Sequence, residues 1–498
     1  PYLGSKIATA RVSGFQGSDL SDISTIVACA KHFAAYGFAE AGRDYNTSDV
    51  GSSTLHNIIL PPFKAANDAG VRTFMNSFND LNGIPATGDR YLQRTVLKER
   101  WDFDGFVVSD WGSMVEMIAH GYAKDGNHAA ELSVNAGSDM DMESHLYVKE
   151  LASLVKEGKV DIALINDAAS RILKVKFELG LFDNPYKYCD EAREASVIGS
   201  EKNNSKVLDV AKKSIVLLKN QNNVLPLAKK GQNIAVIGAL ASDKTSPLGN
   251  WRLAADDNSA VSLLEGLNVY KGNTITYAKG ADVVTGKTVF ISELTINTTD
   301  TSGFKEAIAL AKKSDVVIMA LGEHGLHSGE GRSRAYLGLP GVQQELLEAV
   351  FAVNNNIVLV LSNGRPLTIP WAAQNIPTIL EGWHLGTQSG NALAQVLYGD
   401  YNPSGKLPMT FPRSVGQVPI YYNYKNTGRP KLPGDDLVFW THYTDEQNTP
   451  LYPFGFGLSY TTFSYSKPIV VNTYNQNKQV TVKVKVTNTG KREGKETV

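Results

Sequence analysis

The chain has 498 residues, of which 42% are apolar and 20% charged, a composition that excludes wholesale disorder and predicts about three domains at roughly 150 residues each. Its 49 Lys and Arg against 50 Asp and Glu give a net charge of −1, so we expect neither nucleic acid nor an anionic membrane as a partner. Two cysteines, Cys29 and Cys189, are too few for a disulfide framework or a thiolate metal site. No apolar run reaches the roughly 18 residues that a membrane-spanning helix needs.

The first region alternates short apolar runs with helical patterns. The runs, each ending in polar side chains, lie at 25–33, 71–78, 105–111 and 136–142. Helical patterns at 54–69 and 127–135 separate them, which predicts βα units around a parallel sheet. Polar residues at the carboxyl ends of such strands are typical of the active face of a (β/α)₈ barrel. Four strands cannot close that barrel, so we expect an open sheet or half a barrel.

A long helical pattern over 161–179 ends at Gly180, and the polar residues 184–206 are predicted to be an irregular linker. A second series of buried parallel strands follows, at 233–238, 315–321, 356–361 and 378–380. Its helices are expected at 302–313, 341–352 and 387–397. This pattern predicts an open doubly wound domain over 207–413.

The C-terminal part changes character. A segment rich in Tyr, Pro and Asn precedes β patterning, which begins at residue 454. Residues 479–487 alternate Val with Thr and Lys, which predicts a half-buried strand. One strand cannot form a domain, and the chain begins at Pro1 without Met or the pattern of a signal peptide. We therefore expect the sequence to be cut at both ends.

One strand end carries a candidate nucleophile. The run 105–111 places the Asp110 carboxylate at its polar end, with Trp111 beside it. A rigid carboxylate next to an aromatic plane suits a covalent glycosidase nucleophile, because the indole can stack on a sugar ring. The competing interpretation is that Asp110 caps a helix beginning near Met114.

Two basic side chains end the first run. Lys31 and His32 could donate hydrogen bonds to substrate hydroxyls, whereas the alternative for His32 is a hydrogen-bonded position in the core. A polar cluster, Arg43, Asp44 and Asn46, follows in a loop. It either orients the two basic residues or makes ordinary turn hydrogen bonds.

The segment 316–334 runs from a strand into a Gly-rich loop, where Glu323 and Glu330 are the acid/base candidates. Its glycine spacing does not match G-x-G-x-x-G and no Walker Lys follows, which argues against nucleotide binding. His324 and His327 are three apart in a loop rather than four apart on a helix, which argues against a metal pair.

Two short segments that each contain a Trp can be interpreted in two ways. Trp383 with His384, and Asn250 with Trp251, fit either local packing or a sugar-binding platform. The residues themselves favour neither interpretation.

Together these segments resemble glycoside hydrolase family 3, most closely its bacterial periplasmic β-glucosidases. The motifs that carry the resemblance are KHF (31–33), GRDYN (42–46), FDGFVVSDWG (103–112), GLFDNP (180–185), LLKN (217–220), SNGRPL (362–367), GDYNPSGKLPMTFPRSVGQVP (399–419), LYPFGFGLSYTTF (451–463) and VTNTGKREG (486–494). They cover nearly the whole chain in order. The combination of SDW after a Val-Val strand with GDYNPSGKLP is highly specific.

The resemblance implies a multidomain α/β protein. Its expected parts are the C-terminal half of a (β/α)₈ TIM-type barrel at 1–183, a linker at 184–206, an α/β sandwich at 207–413, a connecting segment at 414–453 and the start of a fibronectin type III-like β-sandwich at 454–498. Family members normally carry further barrel units before such a chain and further strands after it. The other barrel half would supply an Asp and an Arg that grip the sugar.

Carried over residue by residue, the resemblance implies Asp110 as the nucleophile and Glu330, rather than Glu323, as the general acid/base. The implied substrate contacts are Lys31, His32, Met75, Phe78, Trp111 and Arg43. A retaining mechanism would hold the two carboxylates roughly 5–5.5 Å apart, with Asp110 ionised and Glu330 protonated. We therefore expect Arg332 and Arg334 to point away from Glu330, because their charge would oppose its protonation.

The implied activity is that of a retaining, exo-acting β-glucosidase that removes terminal β-D-glucosyl residues from glucosides or cello-oligosaccharides without a cofactor or metal. The alternatives are a β-xylosidase of the same family and a non-catalytic sugar-binding remnant. The N-acetylglucosaminidase branch is disfavoured because KHFAAYG lacks the second His of KHFPGHG. The resemblance also implies a periplasmic or secreted location, and a homodimer is the candidate assembly.

Overall fold

The computed structural model describes residues 1–434, 436–471 and 480–498. The chain divides into two compact units, Pro1–Ala195 and Ser196–Val498. No helix among the described residues is long and apolar enough to cross a membrane. Cys29 and Cys189 are free thiols and are exposed.

A three-stranded parallel sheet forms the centre of the first unit. The strands of this unit are β1 (Cys29–Phe33), β2 (Thr73–Asn76), β3 (Asp80–Leu81), β4 (Ile84–Pro85) and β5 (Phe106–Val108). The sheet order is β1-β2-β5, and β3 and β4 form a separate antiparallel pair. The first three predicted strands are confirmed, whereas the run 136–142 contributes one parallel bridge, between Val108 and Met140.

Helices flank this sheet. The α-helices are α1 (Tyr2–Gln16), α2 (Ser52–Thr54), α3 (Leu60–Asp68), α4 (Ser113–Ala119), α5 (Gly126–Ala136), α6 (Leu146–Lys156) and α7 (Ile162–Glu178). Leu55–Ile59 and Tyr91–Arg100 are π-helical, and short 3₁₀ turns occupy Tyr36–Phe38, Glu40–Gly42 and Ala86–Gly88. The three predicted helices are confirmed. As expected, Gly180 follows α7 with a left-handed φ of 70°.

The segment 184–206 is not irregular, and that prediction is wrong. It contains α8 (Glu191–Val197) and the start of α9 (Glu201–Ser214). Ser200 begins α9 as its N-cap and accepts a hydrogen bond from the Asn203 amide at 3.4 Å. The polar composition of an exposed helix resembles that of a linker, which explains the error.

A six-stranded sheet forms the centre of the second unit. The strands before the C-terminal part are β6 (Val216–Asn220), β7 (Lys230–Ile237), β8 (Gly272–Ala278), β9 (Val284–Thr285), β10 (Thr295–Ile296), β11 (Val316–Gly322), β12 (Ile357–Ser362) and β13 (Thr378–Glu381). The order is β6-β13-β12-β11-β7-β8, and all neighbours are parallel except β6 with β13. The four predicted strands are confirmed; both edge strands, β6 and β8, were missed.

Helices cover both faces of this sheet. They are α10 (Leu263–Leu267), α11 (Phe304–Lys312), α12 (Gln343–Phe351), α13 (Pro370–Asn375) and α14 (Ser389–Leu397). Short 3₁₀ turns occupy Gln221–Asn223, Ala239–Ala241, Ser246–Leu248, Gly325–His327, Gly386–Gln388 and Val415–Gln417. Strand β11 sends Ile318 into one buried core and Val317 with Met319 into the other. Burial on both faces explains why the central strands are continuous apolar runs.

The C-terminal residues form two antiparallel pairs. The strands are β14 (Phe463–Tyr465), β15 (Ile469–Val471), β16 (Thr481–Lys483) and β17 (Val486–Asn488), with β14 pairing β17 and β15 pairing β16. The strand predicted at 479–487 is therefore divided in two, and its first residue, Gln479, lies outside the described residues. Val480 and Val482 are 63% and 56% exposed, so their apolar side chains are not half-buried as the alternation predicted.

Candidate active site

The Asp110 carboxylate lies just past β5, at the carboxyl edge of the first sheet, and the residue is only 7% exposed. Oδ1 accepts a hydrogen bond from the Trp111 amide at 2.7 Å. Oδ2 is buried and accepts no hydrogen bond from the described residues, while His32 Nε2 lies 3.5 Å away. Burial raises the pKa of the Asp110 carboxyl, and the Trp111 amide and the Lys31 charge only partly oppose this effect.

Asp110 does not cap a helix with its side chain, so the competing interpretation is wrong. Helix α4 begins at Ser113, and Gly112 occupies the N-cap position with a φ of 66°. The Ser113 amide bonds to the main-chain carbonyl of Asp110 at 3.2 Å. The carboxylate is therefore not used by the helix terminus.

Strands β1 and β2 place three predicted substrate contacts at the same sheet edge. The Lys31 ammonium lies 4.0 Å from Met75 Sδ, which joins the end of β1 to the end of β2. His32, whose Nε2 atom lies 3.5 Å from Asp110 Oδ2, has a side chain that is 28% exposed. The sheet thus brings Lys31, His32 and Met75 together with Asp110, and His32 is not a buried core residue.

An aromatic cluster extends this group. Phe78 lies 6.1 Å from Tyr36 and 5.3 Å from Tyr45 between ring centroids. Tyr36 in turn contacts the His32 ring edge-on at 5.2 Å. Sequence reasoning missed both tyrosines, although Tyr45 lies inside the GRDYN motif and Tyr36 lies three residues after KHF.

The remaining two predicted contacts in this unit are more exposed. Trp111 is 63% exposed, so its indole face is accessible. Arg43 is exposed, and among the described residues no hydrogen bond or ion pair joins its side chain to Lys31, His32 or Asp110. Its carbonyl accepts from the Asn46 amide at 3.2 Å, which fits the turn alternative for this cluster.

Other polar residues at the strand ends stabilise the fold. Asp139 forms a buried ion pair with Lys98 at 2.6 Å and accepts from the Val107 amide at 2.8 Å. Asp141 accepts from the Leu146 amide at 2.7 Å, at the start of α6. These two carboxylates are satisfied within the protein, unlike Asp110.

In the second unit, Glu323 follows β11 and is completely buried. It forms ion pairs with Arg334 at 2.8 Å and Arg365 at 3.1 Å, and it accepts from the Gly364 amide at 3.3 Å. Both carboxylate oxygens are therefore engaged by partners within the protein, and the buried side chain is not accessible to a substrate.

Glu330 lies in the same loop and is partly exposed. It stands between Gly329 and Gly331, which have φ values of 114° and 68°. As expected, Arg332 donates to the Phe290 carbonyl and Arg334 to Glu323 and to the Gly338 carbonyl.

Residues 249–251 (GNW) pack against the loop that carries Glu330. Asn250 is buried, and a Cβ on Gly329 would come within 2.6 Å of its side chain, so only glycine fits there. Its neighbour Trp251 is 61% exposed and lies 5.4 Å from the Phe290 ring. Asn250 thus packs against the loop, with neither its amide nitrogen nor its amide oxygen hydrogen-bonded to a described residue, while Trp251 retains an accessible face.

Sequence reasoning missed Glu381, which ends β13 and is completely buried. It accepts from the Trp383 amide at 2.9 Å and the Asn363 side chain at 3.2 Å. Burial raises the pKa of Glu381 to about 8. Trp383 packs against Phe411 with ring centroids 6.0 Å apart, which favours the packing interpretation for this segment.

Replacing Glu381 with Gln should change how stability depends on pH. Because the folded-state pKa is about 8 rather than the ordinary 4.5, the unfolded chain loses this proton first as pH rises. The wild type should therefore lose stability relative to Glu381→Gln progressively between those two values, and not beyond them. Melting temperatures of both proteins across that range check this, and a constant difference would contradict it.

No metal cluster is evident in the part of the chain that the structure describes, since no three His, Cys, Asp or Glu residues are grouped to hold an ion.

Burial lowers the pKa of His327 to about 4, and the nearby arginines add to this effect. Its imidazole is therefore neutral at physiological pH.

Comparison with known proteins identifies the family. The model described as "Glycosyl hydrolase family 3 N terminal domain" matches residues 1–175, and "Glycosyl hydrolase family 3 C-terminal domain" matches residues 215–460. The chain belongs to glycosyl hydrolase family 3. This confirms the resemblance and, at the level of two α/β domains, the predicted architecture.

The relatives in family 3 align with nearly the whole of this chain. A "Periplasmic beta-glucosidase" of Salmonella typhimurium is 42% identical over 99% of this chain and 66% of that protein. A "Beta-xylosidase" of Formosa agariphila is 39% identical over 100% of this chain and 68% of that protein. The solved β-glucosidase from Listeria innocua in complex with isofagomine has a TM-score of 0.91 at 35% identity, covering 98% of this chain and 66% of that one. The chain thus spans about two thirds of the length of these relatives.

Proposed function

We propose that the protein is a retaining, exo-acting β-glucosidase that hydrolyses terminal non-reducing β-D-glucosyl residues. The observation that carries the proposal is the Asp110 carboxylate, which is held at a strand end and lies 3.5 Å from His32. Among the described residues, only its Oδ1 accepts a hydrogen bond. Family membership and the β-glucosidases among the relatives support the same substrate class.

In the first step, an Asp110 oxygen forms a bond to the anomeric carbon as the bond to the leaving oxygen breaks. Glu330 donates its proton to that oxygen, so the alcohol departs neutral. In the second step, Glu330 takes a proton from water, whose oxygen attacks the anomeric carbon and releases Asp110. Two inversions give net retention.

The other side chains have binding roles in this proposal. Lys31 and His32 donate hydrogen bonds to glucose hydroxyls, and Lys31 also favours the ionised form of Asp110. Met75 and Phe78 contact the apolar faces of the sugar ring. Trp111 forms the wall of the next subsite outward, and Arg43 is assigned as a further substrate contact from the neighbouring loop.

A β-xylosidase is the second candidate, favoured by the Formosa agariphila relative at 39% identity. Hexose and pentose differ by one hydroxymethyl group, which a few side chains discriminate. Parallel kinetics on nitrophenyl β-glucoside and nitrophenyl β-xyloside decide between them. A higher kcat/KM for the xyloside would replace the proposed substrate and leave the catalytic assignments in place.

The finer architecture is also proposed. Residues 1–183 would be the second half of a (β/α)₈ barrel, 184–206 a connection, 207–413 the α/β sandwich, 414–453 a connecting segment and 454–498 the start of a fibronectin type III-like domain. A periplasmic or secreted location is supported by the periplasmic relative. A homodimer is the proposed assembly.

Labelling with a 2-fluoro-β-glucoside tests the proposed function. The fluorine slows both steps, and an activated leaving group such as dinitrophenolate keeps the first step fast, so a glucosyl ester should accumulate on the nucleophile. Peptide mass mapping should find one adduct, on the peptide that contains Asp110, and the Asp110→Asn variant should carry none. An adduct on another carboxylate would overturn the site assignment. Unmodified protein with untouched reagent would instead favour a non-catalytic sugar-binding role.

A further inference from the structure

The loop that carries Glu330 is closed at its base by an ion pair. Glu323 begins the loop directly after β11, and Arg334 ends it, with Arg334 Nη1 2.8 Å from Glu323 Oε1. Glu330 lies between these two residues. The pair joins two residues that are eleven positions apart in the chain and so holds the two ends of the loop together.

A second guanidinium comes from another strand. Arg365, which follows β12, lies 3.1 Å from Glu323 Oε1 and also donates to the His327 carbonyl in the middle of the loop. Arg334 makes a corresponding second contact with the Gly338 carbonyl at 2.8 Å. Each arginine thus bonds the carboxylate and a backbone oxygen; the Arg365 contact is with His327 inside the loop, and the Arg334 contact is with Gly338, just past its end.

Further contacts restrain the loop from below. The Gly325 amide donates to Ser246 Oγ at 2.9 Å, and Gly329 packs directly on the buried Asn250. Residues 329–334, which include Glu330, are exposed or partly exposed, whereas Glu323, Gly325, Leu326 and Ser328 are buried. A buried carboxylate without partners has a high free-energy cost, so loss of either arginine would destabilise the contacts that Glu323 makes.

We propose that Glu323 is a positioning residue for Glu330: with Arg334 and Arg365 it forms a buried clamp, defined by these three side chains, that holds the acid/base loop in its working geometry. The inference rests on the proposed function. Glu323 touches no reacting atom in this scheme; it acts through the backbone that carries Glu330. Misplacement of a catalytic group by about 1 Å costs on the order of 10²-fold in rate.

The test compares substrates whose leaving groups need protonation to different degrees. Phenyl β-glucoside needs the acid in the first step, whereas dinitrophenyl β-glucoside does not. In Glu323→Gln, kcat/KM for the phenyl substrate should fall about 10²-fold while that for the dinitrophenyl substrate changes little. Equal losses on both substrates, or no loss on either, would overturn the inference.

Two further variants keep the test decisive. Arg334→Lys retains the charge but loses the planar fork, so it should show the same selective loss to a smaller degree even if Glu323→Gln does not fold. Asp209→Asn removes an exposed ion pair with Lys213 on α9 and should leave both substrates unaffected. Glu330→Ala separates the two claims. If its loss of kcat/KM is the same for both leaving groups, the proposed function fails. If its loss depends on the leaving group but the losses in the Glu323 and Arg334 variants do not, the inference alone fails.

Discussion

Replacing Asp110 with Asn is expected to lower kcat for β-glucosides by on the order of 10⁴-fold or more, because an amide cannot form the glycosyl ester. The loss should be similar for phenyl and dinitrophenyl leaving groups, since both substrates need the nucleophile. Steady-state kinetics on the two substrates measure it. A variant that keeps more than a tenth of the wild-type kcat would eliminate Asp110 as the nucleophile.

The same substitution should not destabilise the fold. Burial raises the pKa of Asp110 in the folded state, so the ionised carboxylate opposes folding once the pH exceeds the ordinary carboxyl range. Removing that charge should leave the melting temperature unchanged or raise it, increasingly as pH rises from the ordinary value through the raised one. A helix cap would behave in the opposite way, losing about 1 kcal/mol on substitution.

Asp139 is the matched control at the same sheet edge. It is buried like Asp110 but forms an ion pair with Lys98 at 2.6 Å. Asp139→Asn removes the near partner of the buried Lys98 ammonium and leaves it Asp167 at 3.9 Å; breaking a buried ion pair typically costs about 3–5 kcal/mol. We expect this variant to lose stability with kcat per folded molecule retained, and Asp110→Asn to lose activity with stability retained.

Replacing Glu330 with Ala should produce the second largest effect. The kcat/KM for phenyl β-glucoside should fall about 10²- to 10⁴-fold, the range for loss of a general acid. Substrates with activated leaving groups should still glycosylate Asp110, but the second step should be slow because no base activates water. Added azide should restore turnover by attacking the intermediate without a base, and the product should be β-glucosyl azide.

Glu323→Ala is the comparison that locates the acid/base. Azide rescue in this variant, with none in Glu330→Ala, would move the role to Glu323. The structure argues against that outcome, because the Glu323 carboxylate is buried between Arg334 and Arg365. The gain with azide should be measured as the ratio of kcat with and without the anion in both variants.

Much of the architecture followed from apolar patterning. The buried strands β11, β12 and β13 were predictable because both faces are covered, so most of their residues are apolar. The edge strand β8 alternates between exposed and partly buried residues and was missed. The helices at 191–197 and 201–214 were missed for a related reason, since local composition does not distinguish an exposed helix from a linker.

The candidate site divides in the same way. Asp110, Lys31 and His32 were recognisable because they lie at or just past the carboxyl ends of strands in a parallel sheet, and these ends meet at one edge. Residue type alone did not separate Asp110 from Asp139, which also ends a strand run. Only the tertiary structure shows that Lys98, 41 positions earlier, neutralises Asp139.

The sequence by itself determined the family and the central strands of both sheets, and it singled out Asp110 and Glu330 as candidates, because these depend on local spacing and short motifs. The tertiary structure decided what each carboxylate does. Asp110 proved not to be a helix cap, Glu323 proved to be bound by Arg365 from a different strand, and Glu381 proved to be buried. The charge and pKa of a carboxylate depend on desolvation and on partners within a few ångströms, and those partners are distant in the chain.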